Sequence, residues 1–342
     1  MLTSSLPKFC PKKSCPYCES TNNKITKYGT YPVKLSGEIR QLFYCHGGEH
    51  SFSEMAYSGL INKKGSEKEY IQTAKLIKYG LSGEQIADVL ERDIRTIEAW
   101  VKAISEKGQN FHNFICFLIG ITIEFLQLDE LWSYLKNKKR QLWVFIALES
   151  KTKFWVNFEL GSRTNHTANR LVKGVKELAK WNPQLLLKVT TDKLAAYQNA
   201  LLKQMKSIDY VYLQIVKKRF KRKLKTVKKC WVKGSEKDFP TGTQNTSYIE
   251  RFNLTLRQRI SYLHRKTLGY CKNKSNFNRT LWINLFDYNY CQFHKSLRQD
   301  LTGSKNKFKK RYKEVTPAMK IGLTTNQLNW RFLITAPIPR SG

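Results

Sequence analysis

Three carboxylates stand out in a chain that has few to spare. Asp129, Asp192 and Glu250 lie within 342 residues that hold 61 Lys and Arg against 26 Asp and Glu. Glu250 falls in "NTSYIERFNLTLRQR" (245–259), where every other charge is an arginine. Three acids gathered at one place repel one another and are tolerated only where cations offset the charge. An all-oxygen donor set selects hard ions, Mg²⁺ or Mn²⁺. Two such ions roughly 4 Å apart clamp the attacking and leaving oxygens of a phosphodiester during in-line displacement. No protein nucleophile is then required, in keeping with a sequence that shows no Ser/His/Asp signature, glycine-rich phosphate loop or catalytic Cys/His pair. Each acid also has an ordinary reading: Asp192 as a helix cap, Asp129 as a strand-end residue paired with a lysine, and Ser247 with Glu250 as a capping box.

A second set of residues could hold zinc. Four of the eight cysteines lie in the first 45 residues, and Cys15 and Cys18 have the two-residue spacing that lets one turn present both sulfurs to a tetrahedral ion. Cys45 follows the strand-like "IRQLFYC". A second C-x-x-C would place the fourth ligand at 48, which is glycine, so His50 takes that role, with His46 and Cys10 as alternatives.

These residues need elements to position them. From Ser66, Tyr70, Ile71, Ala74, Ile77 and Leu81 recur at helical steps. Ser82 can cap a helix carrying Ile86, Ala87 and Leu90; "ERD" makes a turn, and "IRTIEAWVKAI" supplies a second helix with Ile94, Ile97, Trp100, Val101 and Ile104 apolar. This predicts a helix-turn-helix, in which Arg95 and Thr96 open the helix that enters the groove. "ITIEFLQLDEL", "QLWVFIALES" and "KFWVNFELGS" read as three successive strands. A helix from about 167 to 181, the strand "LLLKVTTD", a helix from Lys193, the strand "DYVYLQIV" and the helix of Glu250 follow. Three antiparallel strands followed by α-β-α-β-α describe a helix-covered mixed sheet of the ribonuclease H-like kind. Its first and fourth strands are neighbours, which brings Asp129 and Asp192 together. "KKRFKRKLKTVKK" (217–229) and "KNKFKKRYK" (305–313) are charge-dense segments, read as solvated surface or phosphate contacts.

A formal net charge of +35 points to nucleic acid as the partner. The apolar content of 41% excludes a disordered basic tail. "FICFLIGITI" (114–123) is too short for a membrane span and is expected to be buried core. The N-terminus has no apolar stretch of the signal-peptide kind, so a reducing, cytoplasmic compartment is expected.

"LQLDELWSYL", "TTDKLAAY", "NTSYIERFNLTLRQRISYLHRKTLGY", "YNYCQFHKSLR" and "TPAMKIGLT" resemble successive blocks of the DDE-class bacterial insertion-sequence transposases, closest to the insertion sequence one group. The resemblance implies a multidomain α+β protein: a zinc ribbon (1–62), a helix-turn-helix domain (63–108), a ribonuclease H-like catalytic core (120–300) and a basic helical extension (301–342). It makes Asp129, Asp192 and Glu250 the catalytic triad, with Mg²⁺ or Mn²⁺. Asn253 and Arg257, one and two turns along from Glu250, would meet DNA, as would Lys295 and Arg298. Ile249, Phe252, Leu256 and Leu263 would turn inward. The implied activity is binding of terminal inverted repeats, 3′-end cleavage and strand transfer by a dimer or larger assembly on double-stranded DNA. A structure-selective nuclease and a non-catalytic DNA-binding regulator are the rival readings. Gly48, Lys193 and the absence of Arg-Pro before His294 depart from the family pattern.

Overall fold

The computed structural model describes residues 10–12, 14–17, 24–32, 39–57, 65–221, 223–264, 269–301 and 312–336. Strands β1 (Ile25–Pro32), β2 (Ile39–Cys45) and β3 (His50–Ser53) form an antiparallel sheet in that order, the middle strand being the expected "IRQLFYC". Its small core holds Cys10, Cys15, Ile25, Phe43, Cys45 and Phe52.

Helix α1 (Glu67–Lys78) starts at Ser66, whose side chain and Glu69 form a reciprocal capping box. Ser82 and Gln85 do the same for α2 (Gly83–Val89), and Asp93 caps α3 (Ile94–Ile119). Ile86, Ile97, Trp100 and Ile104 are buried with Tyr70, as their spacing predicted. The expected boundary at residue 108 falls inside α3, which runs unbroken for 26 residues. It stops at Gly120, whose backbone has φ of +75° and where an added Cβ would strike the Lys180 side chain. The expectation that 114–123 is all core is also corrected. A helix buries one stripe, so Cys116 is enclosed while Phe117 is 78% exposed, with Phe114, Leu118 and Ile119 also outward.

The second sheet has six strands, ordered β6-β5-β4-β7-β8-β9. Strands β4 (Phe125–Tyr134), β5 (Gln141–Glu149) and β6 (Phe154–Gly161) are the antiparallel meander predicted above. Helix α4 (Asn165–Leu178) leads to β7 (Leu187–Thr191), parallel to β4, and α5 (Ala195–Gln204) leads to β8 (Tyr210–Phe220), parallel to β7. Strand β9 (Lys223–Lys233) was not anticipated. It pairs antiparallel with β8 and converts the basic run at 217–229 from a surface segment into a hairpin.

Alternation along the strands divides the core. Leu126, Leu128, Phe145 and Ala147 pack with α4 and α5 on one face, and Leu131, Val144, Ile146 and Leu148 pack on the other with α6 (Ser247–Arg259) and α7 (Lys274–Phe286). Ile249, Phe252, Leu256 and Leu263 do turn inward. Each such side chain contributes roughly 1.5–3 kcal/mol, which fixes α6 and its acid against the sheet.

At the C-terminal end, a short pair β10 (Gln299–Asp300) and β11 (Tyr312–Lys313) precedes helices α8 (Pro317–Lys320) and α9 (Trp330–Thr335). Helix α9 returns to α3, where Lys107 Nζ donates to the carbonyls of Ile334 (2.7 Å) and Ala336 (2.6 Å). The second basic run lies mostly outside the described residues. No described helix is long and apolar enough to cross a membrane.

Candidate active site and metal centre

The acids come together at the middle of the larger sheet, between its two central strands. Parallel pairing of β4 with β7 ends at Leu128 opposite Thr191, so Asp129 and Asp192 are the next residues on adjacent strands. One carboxylate oxygen from each of Asp129, Glu130 and Asp192 lies within 4.8 Å of the others. Asp129 Oδ1 accepts the Glu130 amide (2.9 Å), and Oδ2 accepts Asn253 Nδ2 from α6 (2.7 Å). Glu130 Oε1 receives Arg163 Nε at 2.9 Å and Nη2 at 2.5 Å, and Oε2 receives the Tyr197 hydroxyl at 3.1 Å. Asp192 Oδ1 accepts the Leu194 amide (3.0 Å), a local turn that leaves Leu194 as the cap of α5. The helix-cap reading of Asp192 is therefore not what the fold uses.

Glu250 stands in the first turn of α6, outside that group of three. Its Oε1 accepts the Thr246 hydroxyl (2.6 Å) and Lys217 Nζ, reaching over from β8. No capping box joins it to Ser247, whose amide and hydroxyl both go to Asn245 Oδ1. Glu130, Arg163, Tyr197, Thr246 and Lys217 were not anticipated. Glu130 sits beside Asp129 in the sequence, but strand alternation argues for opposite faces. Arg163 and Lys217 carry no local signal, since each is brought in by the sheet.

Burial, then the neighbouring charges of Glu130, Asp192 and Glu250, raise the Asp129 carboxyl from 3.8 to about 7. Burial and Asp192 raise Glu130 too, against the opposing pull of Arg163. Asn253 Oδ1 is buried with no hydrogen-bond partner. The three mutually repelling carboxylates form an oxygen cluster that fits a hard divalent cation.

The shift fixes the sign of a pH dependence. A carboxyl raised to about 7 favours the folded state fully below its ordinary value of 3.8, and that contribution is lost as the pH rises through 7. A cation must displace the same proton. Mn²⁺ affinity should therefore rise with pH, approaching about tenfold per unit below 7, and level off above it. Calorimetric titration across that range checks this, with Asp129→Asn expected to flatten the profile.

The second cluster joins Cys10, Cys15, Cys45 and His50, whose ligand atoms all lie within 4.8 Å of one another. Cys10 Sγ is 3.1 Å from His50 Nε2, and Cys15 Sγ is 3.9 Å from Cys45 Sγ. His50 Nδ1 lies 2.7 Å from the Gly48 carbonyl, which orients the ring so that Nε2 faces the sulfurs. The Gly48 amide points at Cys45 Sγ (3.3 Å). A Cβ at 48 would fall 2.4 Å from Cys15 Sγ and 2.6 Å from the His50 ring, so glycine there makes room for the cluster. His46 turns away to Thr26 (3.0 Å). Cys18, named above as a ligand, lies outside the described residues. The gathered set has four residues between Cys10 and Cys15 and four between Cys45 and His50, within the range of zinc sites.

The residues named for DNA contact divide. Arg95 is exposed at the start of α3 and Thr96 half-buried beside it; Lys295 is exposed, and Arg298 is exposed with its guanidinium over the Tyr312 ring (4.2 Å). Asn253 and Arg257, expected to meet DNA, both bond within the protein. Asn253 lies on the buried stripe of α6 with Ile249 and Leu256, against Asp129, and Arg257 donates to the Leu263 carbonyl (3.0 Å).

Residues 122–236 match the family model described as IS1 transposase. The match takes in Asp129, Glu130 and Asp192 and ends before Glu250. Insertion element IS1 protein InsB of Shigella sonnei is 27% identical over 164 residues, which are 47% of this chain and 95% of that protein. Insertion element IS1 9 protein InsB of Escherichia coli K12 is likewise 27% identical over 164 residues, covering 75% of its length, as is IS1 protein InsB of Haemophilus ducreyi.

Proposed function

We propose that the chain is a DDE-class insertion-sequence transposase of the IS1 group that cleaves the 3′ ends of its element and joins them to target DNA, a reading supported by the match of residues 122–236 to the IS1 transposase model. The observation that carries this reading is the meeting of Asp129, Glu130 and Asp192 where the parallel pairing of β4 with β7 ends, with Glu250 close by on α6. The strand order, with its first and fourth core strands adjacent and parallel, supports a ribonuclease H-like core. Asp129, Asp192 and Glu250 are the catalytic acids of this reading, and Glu130 joins them.

When bound, Mg²⁺ or Mn²⁺ supplies Lewis acidity at the attacking and leaving oxygens. The chain's own residues prepare the place. The Glu130 amide and Asn253 hold the two oxygens of Asp129 in fixed directions. Arg163 takes up part of the charge on Glu130, so the cluster need not be neutralised by cations alone. Thr246 and Lys217 aim Glu250, and Lys217 brings a positive charge to a phosphate arriving at this site.

The small N-terminal sheet with Cys10, Cys15, Cys45 and His50 reads as a zinc ribbon, and α2–α3 as a helix-turn-helix presenting Arg95 and Thr96 to the terminal repeats. Lys295 and Arg298 add phosphate contacts. Joining two ends takes two sites, so a dimer or larger assembly forms on DNA, on the nucleoid of a bacterial cytoplasm.

A nuclease using the same acids would stop at hydrolysis. Incubation of the protein with precleaved element ends and a supercoiled plasmid separates the two readings. Joined products in Mg²⁺ are expected; nicked plasmid without joining would leave the nuclease, and neither product would defeat both.

A further inference from the structure

The pairing of β7 with β8 runs only from Leu187 opposite Tyr210 to Thr191 opposite Gln214. Beyond Gln214, β8 continues to Phe220 with β9 as its partner, from Lys229 opposite Ile215 to Lys223 opposite Phe220. Since β8 is parallel to β7, this two-stranded arm leaves the sheet on the side where β7 delivers Asp192. Its first cation, Lys217, reaches Glu250. The arm is rooted in the acid cluster.

Nine of the thirteen residues from 217 to 229 are Lys or Arg and none is acidic. Lys218, Lys221, Lys225, Lys228 and Lys229 are exposed. At the tip, Phe220 has 62% of its surface in water. Lys221 Nζ and Lys225 Nζ lie 5.7 and 5.8 Å from its ring centroid. An aromatic ring displayed at the end of a cationic ribbon lends little to the core. Cations that track a phosphate backbone beside a free aromatic face are what a nucleic-acid strand with accessible bases requires. Closed duplex offers base edges in its grooves and keeps the base faces stacked. A ring at this position therefore suits a base that has left the stack.

We propose that the β8–β9 arm grips DNA beside the scissile phosphate and that Phe220 stacks on an unpaired base there, selecting a junction of paired and single-stranded DNA. The inference rests on the phosphoryl-transfer reading for its location, but its test needs no turnover. Two labelled DNAs are compared by fluorescence anisotropy without divalent cation: a closed duplex, and the same duplex with a few unpaired nucleotides at one end. The wild-type protein should favour the open end. Phe220→Ala should lose about tenfold on the open end and little on the closed duplex, whereas Phe220→Trp should retain the preference. An unchanged thermal melt for Phe220→Ala confirms that an exposed tip residue has been removed without loss of fold. Equal affinity of Phe220→Ala and wild type for the open end, or an equal loss on both DNAs, would overturn the proposal. A protein that joins no ends yet loses open-end binding with Phe220 would retain the arm and discard the reaction.

Discussion

Asp129→Asn and Asp192→Asn proteins should fold, bind DNA and lose cleavage and joining together, by at least about a thousandfold, equivalent to ~4 kcal/mol of transition-state stabilisation. The two acids sit where the parallel pairing of β4 with β7 ends, so an amide of the same shape keeps the packing while removing the charge that holds the cation. Asp129→Asn should stay folded, because replacing a carboxyl raised to about 7 by a neutral amide removes repulsion from Glu130, Asp192 and Glu250. Its thermal midpoint should be equal to or above the wild-type value near neutral pH. Glu250→Gln should likewise abolish both steps, and it tests a narrower point. Glu250 makes no capping box in α6, so its loss cannot act through a broken cap. Near wild-type joining by Glu250→Gln would confine the chemistry to Asp129, Glu130 and Asp192.

The second large effect concerns the Cys/His cluster. Among the described residues, the N-terminal sheet packs a core of six buried side chains, three of them cysteines of the cluster, so the cluster supplies half of that core. Zinc at such a site contributes on the order of 10 kcal/mol. Chelation, Cys10→Ala or His50→Ala should release one equivalent of zinc and unfold residues 24–57 while leaving the six-stranded sheet intact. Hydrogen exchange resolved by segment measures both outcomes. His46→Ala, which loses only the contact to Thr26, is the control and should keep the metal. Retention of zinc by Cys10→Ala would return the first ligand pair to Cys15 and Cys18.

Much of this was legible in the sequence because periodicity and capping are local. Ser66 with Glu69 and Ser82 with Gln85 announce helix starts, and the apolar alternation of "FLQLDEL" sets β4 against two neighbours. The placement of Asp129 beside Asp192 followed from strand order. What stayed hidden depends on contacts between distant segments. The run at 217–229 reads as solvated charge, since a ribbon that leaves its sheet buries neither face and keeps no alternation of apolar residues. Asn253 was assigned to DNA by its three-residue step from Glu250, whereas in the fold it lies buried with Ile249 and Leu256 and donates to Asp129. Cys10 was second choice to His50 as the fourth ligand because C-x-x-C spacing favoured Cys18, and only the turn around Gly48 shows how Cys10 and His50 meet.

Helix α3 sets a distance as well as a fold. Arg95 is in its first turn, while His112, seventeen residues on, is locked into the larger core between the Tyr290 hydroxyl and the Val156 carbonyl, both at 3.0 Å. At 1.5 Å per residue the two points are separated by roughly 26 Å of continuous helix. On the proposed function, with the repeats read at the Arg95 end, the helix would act as a ruler that counts the position of the cut from the bound sequence. One residue inserted between the two points would swing the reading end by about 100° and mismatch sequence to cut, whereas an insertion of about one full turn would restore the phase and shift the reach by roughly 5 Å.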